Sequence, residues 1–428
     1  TNHIAEKEPG MRGQSSWDWQ PGKRRIQEAA ACSSDALWLE EPVASPDGER
    51  LAVVVNLGDA EFGLCVNGEL LEETWEKIWS LRFSPDGRMT AVVSRDMEWT
   101  VAVEGIPWET TFGFVWNLSF SRSGDRIGAA VQQEMSYGVA VDGVPWPELF
   151  DNASNFALSA DGLHSAAVVQ TVPMGAADIE AFQKGCYSIA VDAKAWDRNF
   201  VNVWSPVFDP EGRRVAAQTR QSLYDYTVVV DGTPWDQSFA SVWEPAFHPK
   251  TGAVVAPVRS GGKWGLAENG TLVWPARYSQ LWHQVFDETG TTLAAIAAPS
   301  YGRFTVSVND RPWESRFSVV TDLAVSPDGR RIGALGKEDG HWAVIVDDRP
   351  WPGRYDMIYP ISLSPDGGHA AVRAERNGRF SIVLDGKEYG ETFERAWDPI
   401  FDPEGDKVLI RGIQEGTYFR IVAGVEDF

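Results

Sequence analysis

The sequence predicts an all-β protein: a β-propeller of about ten four-stranded antiparallel blades, its ring closed by an N-terminal strand. Three observations carry this expectation. A turn glycine recurs at nearly constant spacing, an aromatic residue keeps a fixed distance from a second turn, and apolar and polar residues alternate between the turns.

The first series is the glycine that ends each SPDG-like turn: Gly48, Gly87, Gly124, Gly162, Gly212, Gly252, Gly290, Gly329, Gly367 and Gly405. Successive spacings are 39, 37, 38, 50, 40, 38, 39, 38 and 38 residues. The second turn falls at Gly68, Gly105, Gly143, Ala193, Gly232, Gly270, Asp310, Asp348, Gly386 and Gly424. Six residues before each stands an aromatic: Phe62, Trp99, Tyr137, Tyr187, Tyr226, Trp264, Phe304, Trp342, Phe380 and Tyr418.

One period, 79–116, gives the elements in order. WSLRFS alternates as a half-buried strand does, Pro85-Asp86-Gly87 turns, MTAVVS and WTVAV form two further strands, and PWETTF a short fourth. Four short strands in about 38 residues match one propeller blade. The recurring 140-AVDGVPW-146 pattern fits the same scheme. Asp-Gly favours a hairpin turn with positive φ, proline suits an edge strand, and the tryptophan covers the exposed side of its blade.

The ends suggest how the array closes. The last repeat stops after three strands at 418-YFRIVAGVEDF-428, while 15-SSWDWQP-21 is a spare tryptophan-bearing segment. Residues 15–21 are therefore expected to supply the missing strand as a latch, and 22–36 a short helix. A single domain over 1–428 is expected, in one ring rather than two five-bladed rings, because spacing stays regular through the midpoint. The long spacing comes from 171-TVPMGAADIEAFQKG-185, an expected loop insertion between the second and third strands of the fourth blade.

Composition excludes several functions. The net charge is −23, against nucleic-acid binding and adsorption to anionic lipid. No apolar run is long enough to span a membrane, and TNHIAEKEPGMRGQ lacks a signal-peptide core. The three cysteines, Cys32, Cys65 and Cys186, form no CxxC, so disulfides, iron–sulfur ligation and c-type haem are not expected, and a cytoplasmic setting fits. The six histidines show no zinc-ligand spacing, and no GxSxG or phosphate loop occurs. Most carboxylates sit in turns, where aspartate bonds its own backbone. No catalytic, cofactor-binding or metal-ligating residues emerge, and the chain reads as a non-enzyme without cofactor.

The phrase FSPDGR, at 83-FSPDGR-88 and as 325-VSPDGR-330, resembles the WD-repeat-like propeller repeat of the TolB type. The tryptophan richness (20 residues) and the DGxPW pattern also resemble the D subunits of Tmc, a transmembrane electron-transfer complex of sulfate-reducing bacteria. That resemblance implies a cytoplasmic interaction subunit, peripheral to the inner membrane through protein subunits of a membrane redox complex, carrying no electrons itself. The alternative is an enzyme or small-ligand binder using the central channel.

Aromatics remain as binding candidates. Trp79, Trp116, Trp204, Trp243, Trp282, Tyr359 and Trp397 recur near the start of the first strands. With the third-strand aromatics and the insertion, they should crowd one face. Two readings stand for these rings, inter-blade core and partner docking, since aromatics dominate interface hot spots. Ile179 and Phe182 are the insertion's apolar candidates, either for a partner or for packing back on the blade.

Overall fold

The computed structural model describes residues 14–32, 36–173 and 178–428. It is a β-propeller of ten blades, each an antiparallel meander of four strands. Blade 2 is representative: Lys77–Phe83, Met89–Arg95, Glu98–Val103 and Ile106–Pro107, paired in sequence order. The chain separates into two compact units. One comprises Thr1–Thr111, Arg122–Asp125 and Phe317–Phe428, holding blades 1, 2, 8, 9 and 10; the other comprises Phe112–Ser121 and Arg126–Arg316, holding blades 3 to 7.

In every blade the SPDG turn and the Asp-Gly turn share one end, and the turn between strands two and three marks the other. The SPDG end is built by a repeated hydrogen-bond set. Ser326 Oγ donates to Asp328 Oδ1 at 2.6 Å and accepts the Arg331 amide at 2.9 Å. Ser45, Ser159 and Ser364 repeat both bonds. These serines are fully buried, so the hydroxyl satisfies backbone that would otherwise be orphaned.

The tryptophan of DGxPW does more than cover its own blade. The Trp146 amide bonds back to Val139 O, while its indole Nε1 donates to Ser165 Oγ of the next blade at 2.8 Å. It packs there on Ala167, Val169, Ala190 and Ala193. Equivalent rings lie over the next blade's Asp-Gly turn: a Cβ added at Gly232 would meet the Trp196 ring at 3.4 Å, and one at Gly270 would meet Trp235. Glycine suits these turns because both adopt positive φ, 80° at Gly232 and 87° at Gly270.

Closure in the first unit differs in register from the sequence expectation. The latch strand is Gly22–Glu28, pairing antiparallel with Thr417–Gly424. Residues 22–28 therefore form a strand, not the start of a helix; residues 33–35 lie outside those described. Trp17 and Trp19 precede the strand and pack on Ile400, Leu409 and Val422 of the last blade. The last blade also grips the first. Tyr418 Oη donates to Gly48 O at 3.1 Å, Arg411 to Ser45 O at 2.9 Å and Arg420 Nε to Asp47 O at 2.7 Å. All three side chains are buried, and burial raises the Tyr418 phenol and lowers the Arg420 guanidinium from their ordinary values.

Two further expectations are corrected. Cys32 and Cys65 form a disulfide, with Cα atoms 6.5 Å apart, which ties the chain just after the latch to the third strand of blade 1. Sequence spacing hid it, because the latch returns Cys32 to a strand 33 residues further on. The fourth-blade insertion is also not all loop: it contains a helix, Ile179–Lys184, capped by Asp178, whose carboxylate accepts the Ala181 amide. Residues 174–177 lie outside those described.

Candidate interaction surface

The inner strands explain where the candidate aromatics sit. In six blades the residue after the aromatic position adopts positive φ: Ser80, Asn117, Asn155, Ser205, His283 and Asp322. Pairing slips at each of these points, between Trp79 and Arg82 for instance. A bulge of this kind re-aims side chains. In blades 1, 6, 9 and 10 a proline (Pro42, Pro245, Pro360, Pro399) interrupts the strand instead, splitting it in two.

The first-strand and third-strand aromatics meet on one side of each sheet, across the intervening second strand. Ring centroids lie 4.4 Å apart for Trp79 and Trp99, 6.2 Å for Trp116 and Tyr137, 6.4 Å for Trp204 and Tyr226, and 5.5 Å for Trp243 and Trp264. Trp282 meets Phe304, Tyr359 meets Phe380, and Trp397 meets Tyr418. These are stacked, tilted and edge-to-face geometries that aromatic quadrupoles favour.

Exposure divides the set. Trp79 and Trp243 keep 45% and 44% of their surface. Trp116, Trp204, Trp282, Tyr359 and Trp397 are half-buried, and Trp397 packs on Ala44, Leu51, Ile413 and Tyr418. Lys77 Nζ lies 5.9 Å from the Trp79 ring and 5.6 Å from Trp99, a cation–π arrangement. Of the insertion candidates, Ile179 is exposed and Phe182 half-buried.

At the tips of the turns between strands two and three the sequence reading picked out the insertion's Ile179 and missed its neighbours. In the second unit these tips carry large exposed apolar residues: Met135, Ile179, Leu223, Tyr224 and Tyr301. Met135 is 73% exposed and adopts φ 67°, with Glu134 at 48°. In the first unit the corresponding turns of blades 8, 9 and 10 place glycine there, at Gly340, Gly378 and Gly416, while blade 2 places Met97, 87% exposed at φ 65°. Methionine in the left-handed region costs about 1–2 kcal/mol that glycine avoids. The available signal was in the sequence: a turn where Glu-Met stands for Asp-Gly or Asn-Gly.

The histidines serve the turns. His164 Nδ1 lies 2.7 Å from Asp192 Oδ2 and His369 Nδ1 2.6 Å from Asp385 Oδ2. Arginines hold this post in other blades, as Arg126 does with Asp142 and Arg214 with Asp231. His248 Nδ1 accepts the Lys250 and Thr251 amides. Glu244 sits at the inner-strand break of blade 6, and desolvation pushes its carboxyl above the usual range. Among the described residues no three His, Cys, Asp or Glu side chains gather as a metal site, and no helix is long and apolar enough to cross a membrane.

No family model matches the chain, and no curated protein matches it. Solved structures do. A eukaryotic initiation factor is 12% identical with a TM-score of 0.45, covering 85% of this chain and 90% of that one. The Cps50 (Swd1) β-propeller domain of Myceliophteria thermophila is 12% identical at TM-score 0.30, covering 63% and 95%. The Dos1 propeller is 11% identical at TM-score 0.35, covering 95% of each. The assignment to the β-propeller class rests on the strand pairing described above.

Proposed function

We propose that this protein is a non-catalytic interaction scaffold whose partner docks on the end of the second unit that carries the turns between strands two and three. One observation carries the reading: four of the five blades of that unit end in an exposed apolar residue there, and Met135 holds its place against backbone strain. Strain of this kind, retained without a packing reason, points to use of the side chain. The opposite turns are mostly polar, as at Asp161, Glu211, Lys250 and Glu288, with Leu163 and Val144 as exposed apolar exceptions. Trp243 extends the apolar set along the inner strand of blade 6; Trp79 is its counterpart in the first unit. The half-buried members, Trp116, Trp204, Trp282, Tyr359 and Trp397, contribute chiefly to the cores of their units.

The particular setting proposed is a cytoplasmic subunit of a membrane-associated electron-transfer complex, without a redox group of its own; the Cys32–Cys65 disulfide removes the cysteine-based reason for the cytoplasmic placement, which rests on the resemblance alone. Its support is the tryptophan-rich DGxPW repeat and its resemblance to the D subunits of Tmc. Affinity purification at native abundance tests both levels. Stoichiometric recovery of haem- or cluster-bearing subunits, reduced by the double change Ile179→Ser and Phe182→Ser without loss of fold, is the expected result. Recovery of a partner without redox groups overturns the redox setting alone. Recovery of no stoichiometric partner overturns the scaffold reading.

A further inference from the structure

The outer strand of blade 6, Thr271–Tyr278, is unlike most of its counterparts. In blades 2, 3, 5, 7 and 8 the fourth strand is two residues long and ends in proline: Pro107, Pro145, Pro234, Pro312 and Pro350. Proline withholds a donor and blunts an edge. In blade 6 the tryptophan comes first and the proline second, Trp274 then Pro275, and the strand runs eight residues. It is the last strand of its sheet, paired with Lys263–Glu268 on one side only. Leu272 and Val273 on this edge are 40% and 48% exposed, an apolar open edge of the kind folds usually protect.

Two recesses flank the strand. One, of about 530 Å³, is lined by Thr271 and Leu272 with Tyr224, Asp225, Phe239 and Arg259. The other, of about 390 Å³, is lined by Val273 and Trp274 with His248, Glu268, Phe286 and Asp310. Leu272 lines the first recess, while the pairing register slips between Leu272 and Trp274, so that Val273 and Trp274 both line the second. A strand added at this edge would place its own alternate side chains over the two recesses, the arrangement that gives strand-addition sites their specificity.

Charge and apolar lining select the occupant. Arg259 is exposed and has no ion-pair partner among the described residues. Its neighbour Asp225 already accepts the Ser222 hydroxyl. In the other recess Asp310 is paired with Arg277 at 2.9 Å, Glu268 is half-buried, and Val273, Trp274 and Phe286 supply apolar surface.

We propose that this edge takes an extended segment of a partner protein as a fifth strand along residues 271–274, with acidic side chains facing Arg259 and apolar side chains facing Val273 and Trp274. Pro275 has no N–H and ends the register. The proposal does not depend on docking at the turn tips, although Tyr224 borders both surfaces.

The test uses full-length protein and a fluorescein-labelled octapeptide of alternating valine and glutamate, with a valine–lysine octapeptide as control, read by fluorescence anisotropy at low salt. The expected result is saturation below about 1 mM for the glutamate peptide and affinity about fivefold weaker for the lysine peptide. Arg259→Glu removes that preference at unchanged melting temperature. N-methylation of alternate peptide amides abolishes binding, and amide exchange slows at 271–274. Absence of saturation, equal binding of the N-methylated peptide, a preference surviving Arg259→Glu, or exchange slowing at another edge overturns the proposal. A self-associated species that Arg259→Glu dissociates, seen by sedimentation, places a second copy of this chain on the edge and overturns the partner-segment assignment.

Discussion

Met135 and Ser326 show how much single positions hold in this fold. Met135 occupies a left-handed turn position that blades 8, 9 and 10 give to glycine and that blade 2 fills with Met97. Met135→Gly is therefore expected to stabilise the protein by about 1 kcal/mol while weakening partner binding, measured by chemical unfolding and by recovery of the complex. Ser326 is buried and bonds both Asp328 and the Arg331 amide. Its hydroxyl is the first cause holding the Asp328 carboxyl below its ordinary value. Asp161 and Asp366 are held down in the same way by Ser159 and Ser364. A carboxyl that titrates lower in the folded state stabilises fully above its unfolded pKa, and the contribution is lost as pH falls through the folded value. Ser326→Ala should cost about 1–2 kcal/mol at neutral pH and show a smaller further loss on acidification below the ordinary aspartate range. Equal acid sensitivity of variant and parent, followed by thermal melts across pH, would sink that account. The SPDG serines and turn glycines were legible because they recur in register. Met135 was not, since its meaning lies in backbone dihedrals that periodicity does not report.

At the scale of elements, the latch and its staple matter most. Gly22–Glu28 completes the last blade, and Cys32–Cys65 ties the chain that follows it to blade 1. Closing a loop of this length by a cross-link stabilises by about 3–4 kcal/mol in the chain-entropy picture. Cys65→Ser, or reduction with dithiothreitol, should lower the melting temperature, and the reduced variant should show no further loss. An unchanged melting temperature after complete reduction, checked by thiol titration, would contradict this. Truncation separates the parts of the latch. Removing residues 1–21 takes away Trp17 and Trp19 with their packing on Ile400 and Leu409; removing 1–28 also deletes the strand and should destabilise far more. The strand escaped sequence reading because GKRRIQE is a mostly exposed edge without apolar alternation, while the tryptophans beside it looked like the missing fourth strand. The blade strands themselves were legible, since the first strands alternate, the second strands are continuous buried runs such as Met89–Arg95, and turns recur in register between them.

For the molecule as a whole, the sequence's regular period led to a single domain over 1–428, which we carry forward as a proposal. One cooperative thermal transition reported identically by tryptophan fluorescence and far-UV dichroism is the expected outcome; two separable transitions would divide the chain into independent folding units. The candidate site was only partly legible. The paired rings of Trp79, Trp116 and Trp243 could be placed from spacing, yet their exposure depends on how bulges and neighbouring blades cover them, which spacing does not encode. The central claim concerns which end of the second unit meets a partner, and hydroxyl-radical footprinting of the protein within its native complex tests it most directly. Protection of Met135, Tyr224 and Tyr301 on complex formation, with Leu163 and Val144 still oxidised at the rate of the free protein, is the predicted result. Protection of Leu163 and Val144 with Met135, Tyr224 and Tyr301 unchanged would place the interface on the opposite turns and contradict it.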